Sequence, residues 1–153
     1  MIRRALLGAA LALLGSQALA GTQTCSVTAT NLAFGSFTGS RIDTTAVIRL
    51  ICNGGGNNNP YSVALSQGVS NSFIDRFMLS PAQGELTYNM YIDPGRSIIW
   101  GNGAGQTQVE SGILDFRHTG AVTVPLIIYG RVPFQTLPAP GQYSDNILIT
   151  VTF

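Results

Sequence analysis

Residues whose side chains act as acids, bases or nucleophiles are sparse in this chain of 153 residues, which has 8 arginines, 7 carboxylates and 1 histidine. The histidine, His118, stands beside Arg117 at the end of a candidate strand, which favours a surface position over a general base. Glu110 and Asp115 are the one close pair of carboxylates, and their polar setting gives no reason to expect the raised pKa of a hydrolase acid. We therefore expect no enzyme, with a hydrolase using this pair as the alternative.

The sequence also has few of the residue clusters that bind calcium, phosphate or nucleic acid. The five aspartates are scattered, mostly beside turn residues, whereas a calcium loop needs carboxylates at alternate positions. Gly101, Gly103 and Gly105 precede no helix pattern, and the chain has no lysine, which favours a strand connection over a phosphate cradle. A net charge of +1 without a basic cluster argues against nucleic acid. We therefore expect no cofactor, no metal, no nucleic acid and no small-molecule substrate.

The first residues have the pattern of an export signal. Arg3 and Arg4 precede an apolar run over residues 5–14, and Ala18-Leu19-Ala20 supplies small residues before a cleavage point. A membrane-spanning helix needs roughly 20 apolar residues, so an uncleaved anchor is the less favoured interpretation. The sequence predicts a signal peptide over residues 1–20 and one exported domain over residues 21–153.

Export changes the interpretation of the cysteines, Cys25 and Cys52. Disulfides persist in oxidising compartments, and two cysteines allow one intramolecular pairing. A metal pair or a reactive thiol is the alternative, but neither cysteine has histidine, cysteine or acidic neighbours. We expect a structural disulfide between them.

Short runs of alternating apolar and polar residues, separated by glycine, asparagine, proline and serine, dominate the remaining sequence. Seven or so strands with frequent turns predict an all-β antiparallel sandwich. Pro125 favours an edge or irregular strand over a central one. The predicted strands are 27–34 with a kink, 45–52, 61–66, 85–93, 98–100, 109–117, 121–129 and 143–153.

The last predicted strand stands out because it is the most regularly amphipathic one. Ile147, Ile149, Val151 and Phe153 alternate with polar residues or Leu148 up to the final residue. A sandwich whose sequence stops there would lack a closing strand. We expect an apolar groove and an unpaired edge, and exposed edges pair with other chains.

Several short motifs follow one another in the order found in a known family. They are Cys25-Ser26-Val27, Leu32-Ala33-Phe34-Gly35-Ser36-Phe37, Cys52 after an apolar strand, Tyr61-Ser62-Val63-Ala64-Leu65-Ser66, Leu86-Thr87-Tyr88-Asn89-Met90-Tyr91, Trp100-Gly101-Asn102-Gly103, Tyr129-Gly130-Arg131-Val132-Pro133, Gly141-Gln142-Tyr143-Ser144-Asp145 and Thr150-Val151-Thr152-Phe153. With them the sequence resembles the spore coat protein U domain family, the module of archaic chaperone–usher pilus subunits.

The resemblance implies an incomplete immunoglobulin-like sandwich that lacks its final strand. It also implies three partners: a periplasmic pilus chaperone, an outer-membrane usher, and a neighbouring pilus subunit that donates a strand. The protein would be exported through the periplasm to an extracellular fimbrium or the cell surface. In this family, a disulfide like Cys25–Cys52 links the first two strands.

A strand-acceptor groove is the site that this resemblance predicts. Its walls would be the first strand and the last strand, and its residues would be Val27, Leu32, Phe34, Ile147, Ile149, Val151 and Phe153. Strand addition combines main-chain hydrogen bonds with alternating side chains in pockets. The chain is thus predicted to be a non-catalytic structural or adhesive subunit, with a secreted, self-contained binding module, for example carbohydrate-binding, as the alternative.

Two finer expectations follow. Only Gly21-Thr22-Gln23-Thr24 separates the predicted cleavage point from the first cysteine, which is too short for a donor strand and predicts a tip or accessory position. Apolar residues near loops would cap the core, in preference to forming an exposed adhesive patch. These residues are Phe73, Ile74, Phe77, Met78, Phe134 and Leu137.

Overall fold

The computed structural model describes residues 23–56, 58–117 and 120–153, and within these ranges the chain folds into β-strands and one 3₁₀ turn at Gly68–Ser70. The predicted signal peptide and His118 lie outside the described residues. No helix in the described ranges is long and apolar enough to cross a membrane. The strands are β1 (Thr24–Ala29), β2 (Ile42–Asn53), β3 (Asn59–Leu65), β4 (Phe77–Leu79), β5 (Glu85–Thr87), β6 (Asn89–Tyr91), β7 (Ile99–Trp100), β8 (Thr107–Gln108), β9 (Glu110–Leu114), β10 (Ala121–Val132) and β11 (Ile149–Thr152).

Two sheets enclose the core. One has the order β1-β2-β10-β6-β7-β8, the other has the order β11-β3-β9, and β4 and β5 form a separate ribbon. β2 and β10 pair along their whole length, from Ile42 opposite Val132 to Asn53 opposite Ala121. β1 and β11 are edge strands of the two sheets. The predicted all-β sandwich is confirmed.

Alternation along the strands decides which side chains are buried, because successive residues of a strand point to opposite faces. On β2 the buried residues are Ala46, Ile48, Leu50 and Cys52. On β3 they are Tyr61, Val63 and Leu65. Trp100 is fully buried, and its indole Nε1–H donates to the carbonyl of Val63 at 2.8 Å, which ties the larger sheet to the smaller one.

The predicted strand 85–93 is divided in two by the structure. β5 pairs with β4, whereas β6 pairs with β10, so the chain changes sheet at Tyr88. The backbone N–H of Tyr88 donates to the carbonyl of Arg76 at 2.9 Å, and the side-chain oxygen of Asn89 accepts from the N–H of Met90 at 2.8 Å. The first bond extends the β4–β5 pairing by one residue, and the second gives the N–H of Met90 a side-chain acceptor.

The predicted first and last strands are also shorter than expected. β1 ends at Ala29, and the regular part of the last strand begins only at Ile149. Pro125 lies in β10, opposite Arg49, but β6 covers β10 only at residues 129–131. The missing N–H of Pro125 is therefore tolerated in a strand that is interior by order but lacks a described second partner at that position.

Candidate strand-binding groove

The edge strand β1 is held in place covalently. The predicted disulfide is confirmed: Cys25 and Cys52 are bonded and lie directly opposite each other in the β1–β2 pair. Val27 and Ala29 follow Cys25 on the same face, opposite Leu50 and Ile48. Val27 is nevertheless 39% exposed, so the second sheet does not cover the core-facing side of this edge.

Beyond Ala29 the chain leaves its partner strand. Thr30 donates its N–H to the carbonyl of Val47 at 3.0 Å, and residues 31–38 then make no backbone hydrogen bond with any described residue. Leu32 and Phe34 are nonetheless half-buried between exposed neighbours, the alternation of a strand. Residues 31–38 are thus a segment that alternates like a strand up to Phe34 and whose backbone groups have no strand partner in the described chain.

Residues 31–38 pack against β10 at Gly130, where the missing side chain leaves room for them. A Cβ at that position of β10 would lie 2.8 Å from a methyl carbon of Leu32 and 3.0 Å from the ring of Phe34. The Phe34 ring also packs edge-on against Tyr88, with ring centroids 5.8 Å apart. The segment is therefore anchored through its side chains.

The opposite wall is formed by residues 143–149. Ser144 exchanges backbone hydrogen bonds with Leu79, and Leu148 is held by Ser66 through both its N–H and its carbonyl. β11 then pairs with β3 on one side, and its other edge has no partner among the described strands. This wall is therefore fixed from one side only.

Between these two walls lies an apolar cleft of about 450 Å³, here called the edge groove, which is bounded by residues 29–34 and 143–149. A second cavity of about 870 Å³ adjoins it between residues 32–37 and 137–144. The floor of the edge groove is formed by Leu65, Met78, Tyr88, Met90 and Ile128.

The structure brings together some of the residues that the sequence predicts for this site and leaves others apart. Leu32, Phe34, Ile147 and Ile149 line the edge groove. The remaining ones, Val27, Val151 and Phe153, lie outside its lining, and Phe153 is 53% exposed beyond the end of β11.

The floor residues were not predicted as part of the site. Four of them, namely Leu65, Tyr88, Met90 and Ile128, lie at apolar positions of the strands that alternation predicts over 61–66, 85–93 and 121–129. The sequence carries no signal that this part of the buried face is left without a covering strand. Met78, placed near a loop by the sequence, is buried in β4.

One end of the edge groove is polar. The Tyr88 hydroxyl donates to Oδ2 of Asp145 at 2.8 Å, and Oδ1 accepts from the backbone N–H of Val69 at 2.9 Å and of Asn146 at 2.7 Å. Burial, together with the adjacent Asp145 carboxylate, raises the pKa of Tyr88 far above its usual value. Tyr88 is therefore a neutral hydrogen-bond donor that fixes the wall to the floor.

Arg76, which the sequence analysis did not single out, supports this floor from below. Its guanidinium is fully buried and donates to the carbonyls of Ser66 and Trp100 and to the side-chain oxygen of Asn89, at 2.7–3.1 Å. The ring of Phe73 lies 5.3 Å from its central carbon. Burial lowers the pKa of Arg76.

The two candidate hydrolase residues lie in different environments. Glu110 is half-buried on β9, and burial raises its pKa, which corrects the expectation of an unperturbed carboxylate. Asp115 is exposed and accepts hydrogen bonds from the guanidinium of Arg117. No group of three histidine, cysteine or acidic residues in the described ranges is placed to hold a metal ion.

The apolar residues near loops divide between core and surface. Met78 is buried and Phe73 and Phe77 are half-buried, as expected for residues that cap the core. Ile74, Phe134 and Leu137 are exposed, with Phe134 at 81%. The core-capping prediction therefore holds for Phe73, Phe77 and Met78. It is wrong for Ile74, Phe134 and Leu137.

Sequence comparison gives a family match over most of the chain. The family model described as Spore Coat Protein U domain matches residues 10–150. Protein U of Myxococcus xanthus is 39% identical over 69 residues, which are 44% of this chain and 34% of Protein U. The match thus spans about a third of that relative.

Structural comparison gives a likeness in fold. A crystal structure of the CsuC–CsuE complex, a chaperone with a tip adhesion subunit of archaic chaperone–usher Csu pili of Acinetobacter baumannii, contains a chain similar to this one. The match has a TM-score of 0.56 and 21% identity, over 86% of this chain and 40% of the other. The likeness agrees with the immunoglobulin-like sandwich that the sequence predicts.

Proposed function

This chain belongs to the Spore Coat Protein U domain family, and from that premise we propose that it is a non-catalytic structural or adhesive subunit of a chaperone–usher fimbrium. It accepts an extended strand from another polypeptide into the edge groove, which is donor-strand complementation. The observation that supports this proposal is that residues 31–34 of one groove wall have no backbone partner in the described chain, and that the other wall ends at Ile149, where the unpaired edge of β11 begins.

An extended peptide fits the physical properties of this site. Its backbone would pair with both open edges, and every second side chain would enter the apolar floor. Each large apolar side chain moved from water into the edge groove contributes about 1.5–3 kcal/mol. The groove residues Leu32, Phe34, Ile147 and Ile149 would pack around those side chains. We retain Val27, Val151 and Phe153 as the proposed outer end of the acceptor site. The acceptor site, from the edge groove to this outer end, is here called the seam.

The partners and location follow from the same proposal. A periplasmic chaperone occupies the edge groove first, an outer-membrane usher mediates exchange, and a strand from a neighbouring subunit replaces the chaperone. The protein ends in an extracellular fimbrium or on the cell surface. A tip or accessory position is the finer part of the proposal, and N-terminal sequencing of the protein recovered from fimbriae tests it.

The groove is tested by co-expression with a chaperone of the archaic class. We expect co-purification with the wild-type chain and its loss with Ile149→Asp, which places a charge in the edge groove. Leu148→Asp is the matched control, because Leu148 is the preceding residue and lies on the exposed face. That variant is expected to co-purify like the wild type.

A second measurement covers the case in which Ile149→Asp does not fold. Amide hydrogen exchange of the wild-type chain should slow in residues 31–38 and in β11 when the chaperone binds. Unchanged exchange there, or a chain that accumulates equally well with and without chaperone, would contradict the acceptor model and favour a self-contained binding module.

A further inference from the structure

The larger sheet has an outer face on which arginines collect. We name as the arginine face the surface formed by Arg41, Arg49, Arg96 and Arg131 around Tyr129. On β2 the even-numbered residues from Ala46 to Cys52 are buried, so the odd-numbered ones point away from the core. β10 places Arg131 opposite Asp43 and Tyr129 opposite Thr45 on this outer face.

One end of the arginine face already holds a carboxylate. Arg131 donates from Nε and Nη2 to the two oxygens of Asp43, at 2.7 and 2.9 Å. Arg41 and Arg96 also approach this carboxylate, each with its Nε 3.6 Å from an oxygen. Three guanidinium groups thus share one carboxylate. A second carboxylate, Asp93, lies near enough to act electrostatically on Tyr91, as Asp43, Arg96 and Arg131 do. Positive charge remains in excess around Asp43, and Arg41 is mostly exposed.

The other end is Arg49, whose guanidinium makes no hydrogen bond or ion pair with any described residue, although its backbone lies within β2. It lies six residues along β2 from Asp43, about 20 Å at the rise of an extended strand. Between them lie the exposed Thr45 and an apolar pair, Val47 opposite Ile127, which is 44% exposed. The surface therefore has cations at both ends and aliphatic and aromatic groups in the middle.

We infer that the arginine face binds a carboxylated polysaccharide, a polymer of uronic acid residues. Arginine binds carboxylates in a planar, two-bond geometry, and the Asp43–Arg131 pair displays that geometry on this face. Ile127 offers an apolar surface for the C–H faces of sugar rings. The neighbouring Tyr129 ring already carries the Arg96 guanidinium, 5.7 Å from its centroid, and contributes its half-exposed edge and hydroxyl. An extended polymer brings its carboxylates to both ends of the stripe.

Other anionic partners fit this face less well. A nucleic acid needs several clustered cations for useful affinity, whereas Arg96 is occupied by the carbonyls of Thr44, Pro94 and Gly130. The face also lies on the opposite side of the larger sheet from the core and the edge groove. A polysaccharide bound there leaves the strand-accepting seam open, so this inference does not depend on the proposed assembly.

The test is affinity electrophoresis of the full chain in native gels that contain polygalacturonate. Gels with methyl-esterified polygalacturonate are the polymer control, because they present the same sugar with its carboxylates blocked. We expect retardation by the free acid alone, and about tenfold weaker binding for Arg49→Ser or Arg41→Ser. Arg117→Ser removes the same charge from an exposed position outside this face and is expected to bind like the wild type.

Three results would overturn the inference. Equal weakening by Arg117→Ser would mean that only net charge matters. Equal retardation by the esterified polymer would remove the carboxylates from the interaction. Displacement of polygalacturonate by single-stranded DNA at the same concentration of charge would assign the face to nucleic acid. The unfolding temperature of Arg49→Ser should match the wild type, because Arg49 has no described partner to lose.

Discussion

Arg76 shows how one buried charge can organise the floor of the edge groove. Its guanidinium connects the ends of β3 and β7 through the carbonyls of Ser66 and Trp100, and it reaches β6 through Asn89. Planar, fixed N–H donors let arginine satisfy several acceptors at once. Strands from both sheets thus depend on a single side chain that has no exposed surface.

We expect Arg76→Ala to lower the free energy of unfolding by about 3–5 kcal/mol, because the carbonyls of Ser66 and Trp100 and the side chain of Asn89 lose a charged donor and a cavity remains. Urea unfolding followed by tryptophan fluorescence measures the loss, since Trp100 is one of the groups that Arg76 contacts. Arg49→Ala is the control and should change stability by less than about 0.5 kcal/mol. A small effect of Arg76→Ala would mean that the floor is not held by this side chain.

Asp43 makes a pH prediction. The hydrogen bonds from Arg131, with Arg96 and Arg41 nearby, hold the pKa of Asp43 below its usual value. A carboxyl whose pKa is lowered by folding stabilises the fold above its unfolded pKa of about 3.9. That contribution is lost as the pH falls through the lower, folded value.

The expected result is that Asp43→Asn is less stable than the wild type at neutral pH and that the difference shrinks below about pH 4. Urea unfolding at a series of pH values measures it. Asp75→Asn, whose carboxylate contacts none of these arginines, should follow the wild type throughout. A difference that stays constant with pH would contradict the assignment of this effect to ionised Asp43.

Residue types alone could not have revealed these environments. The sequence shows Arg76 among apolar residues, but its partners are 10, 13 and 24 positions away along the chain and meet only after the sheets form. Glu110 was judged from its polar neighbours in sequence, whereas its burial on β9 depends on neighbours that the fold supplies. The disulfide was predictable, because two cysteines leave one pairing.

At the scale of elements, residues 31–38 are the part of the sandwich that most resembles an unfinished strand. Half-buried Leu32 and Phe34 alternate with exposed residues, yet the backbone of the segment pairs with nothing in the described chain. Gly35 has a positive φ of 73°, which glycine adopts at little cost. Phe37 is half-buried three residues after Phe34, so the alternation of the segment shifts by one residue at Gly35.

Gly130 is the feature of β10 on which this segment depends. Gly130→Ala should push Leu32 and Phe34 outward and destabilise the protein by about 1–3 kcal/mol through overpacking. Thermal unfolding measures the stability. Hydrogen exchange in β2 and β6, the partner strands of β10, reports on the disturbance around Gly130. Gly55→Ala is the matched control, because a Cβ there meets nothing within 4 Å. Equal effects of the two substitutions would show that Gly130 acts only through backbone freedom.

Strand alternation predicted most elements of the sandwich. It failed to predict where one continuous alternating run is divided between two sheets. The periodicity of 85–93 is continuous, with Leu86, Tyr88 and Met90 all buried, although two different sheets bury them. Periodicity reports which face is apolar and carries no information about which strand is adjacent. For the same reason the sequence predicted the apolar walls of the groove better than its floor.

At the scale of the whole molecule, the described residues have a pair of unpartnered strand edges on one side and a charged face on another. The seam runs between β1 with residues 31–38 and the β11 edge, where apolar side chains are half-buried. The arginine face lies on the outside of the larger sheet. Assembly through one surface would therefore leave the other available for contact with the environment.

Closing the seam should change the unfolding of the entire domain. In a fusion chain, a donor peptide with apolar residues at alternate positions follows Phe153 through a flexible Gly/Ser linker. We expect the fusion chain to bury more surface when folded, so the denaturant slope m should rise together with the midpoint. Unfolding should also slow, because strand pairing along the seam must break before the sheets separate.

The control is a fusion of equal length whose alternate positions carry aspartate, which the apolar floor cannot accommodate without burying unpaired charge. This fusion should unfold like the unfused chain. A midpoint that rises equally for both fusions would attribute the stabilisation to the linker. If m does not rise with the apolar donor, the peptide has not entered the edge groove, because m scales with the surface that unfolding exposes. A rise with the apolar donor alone is the result that requires an acceptor seam in the folded chain.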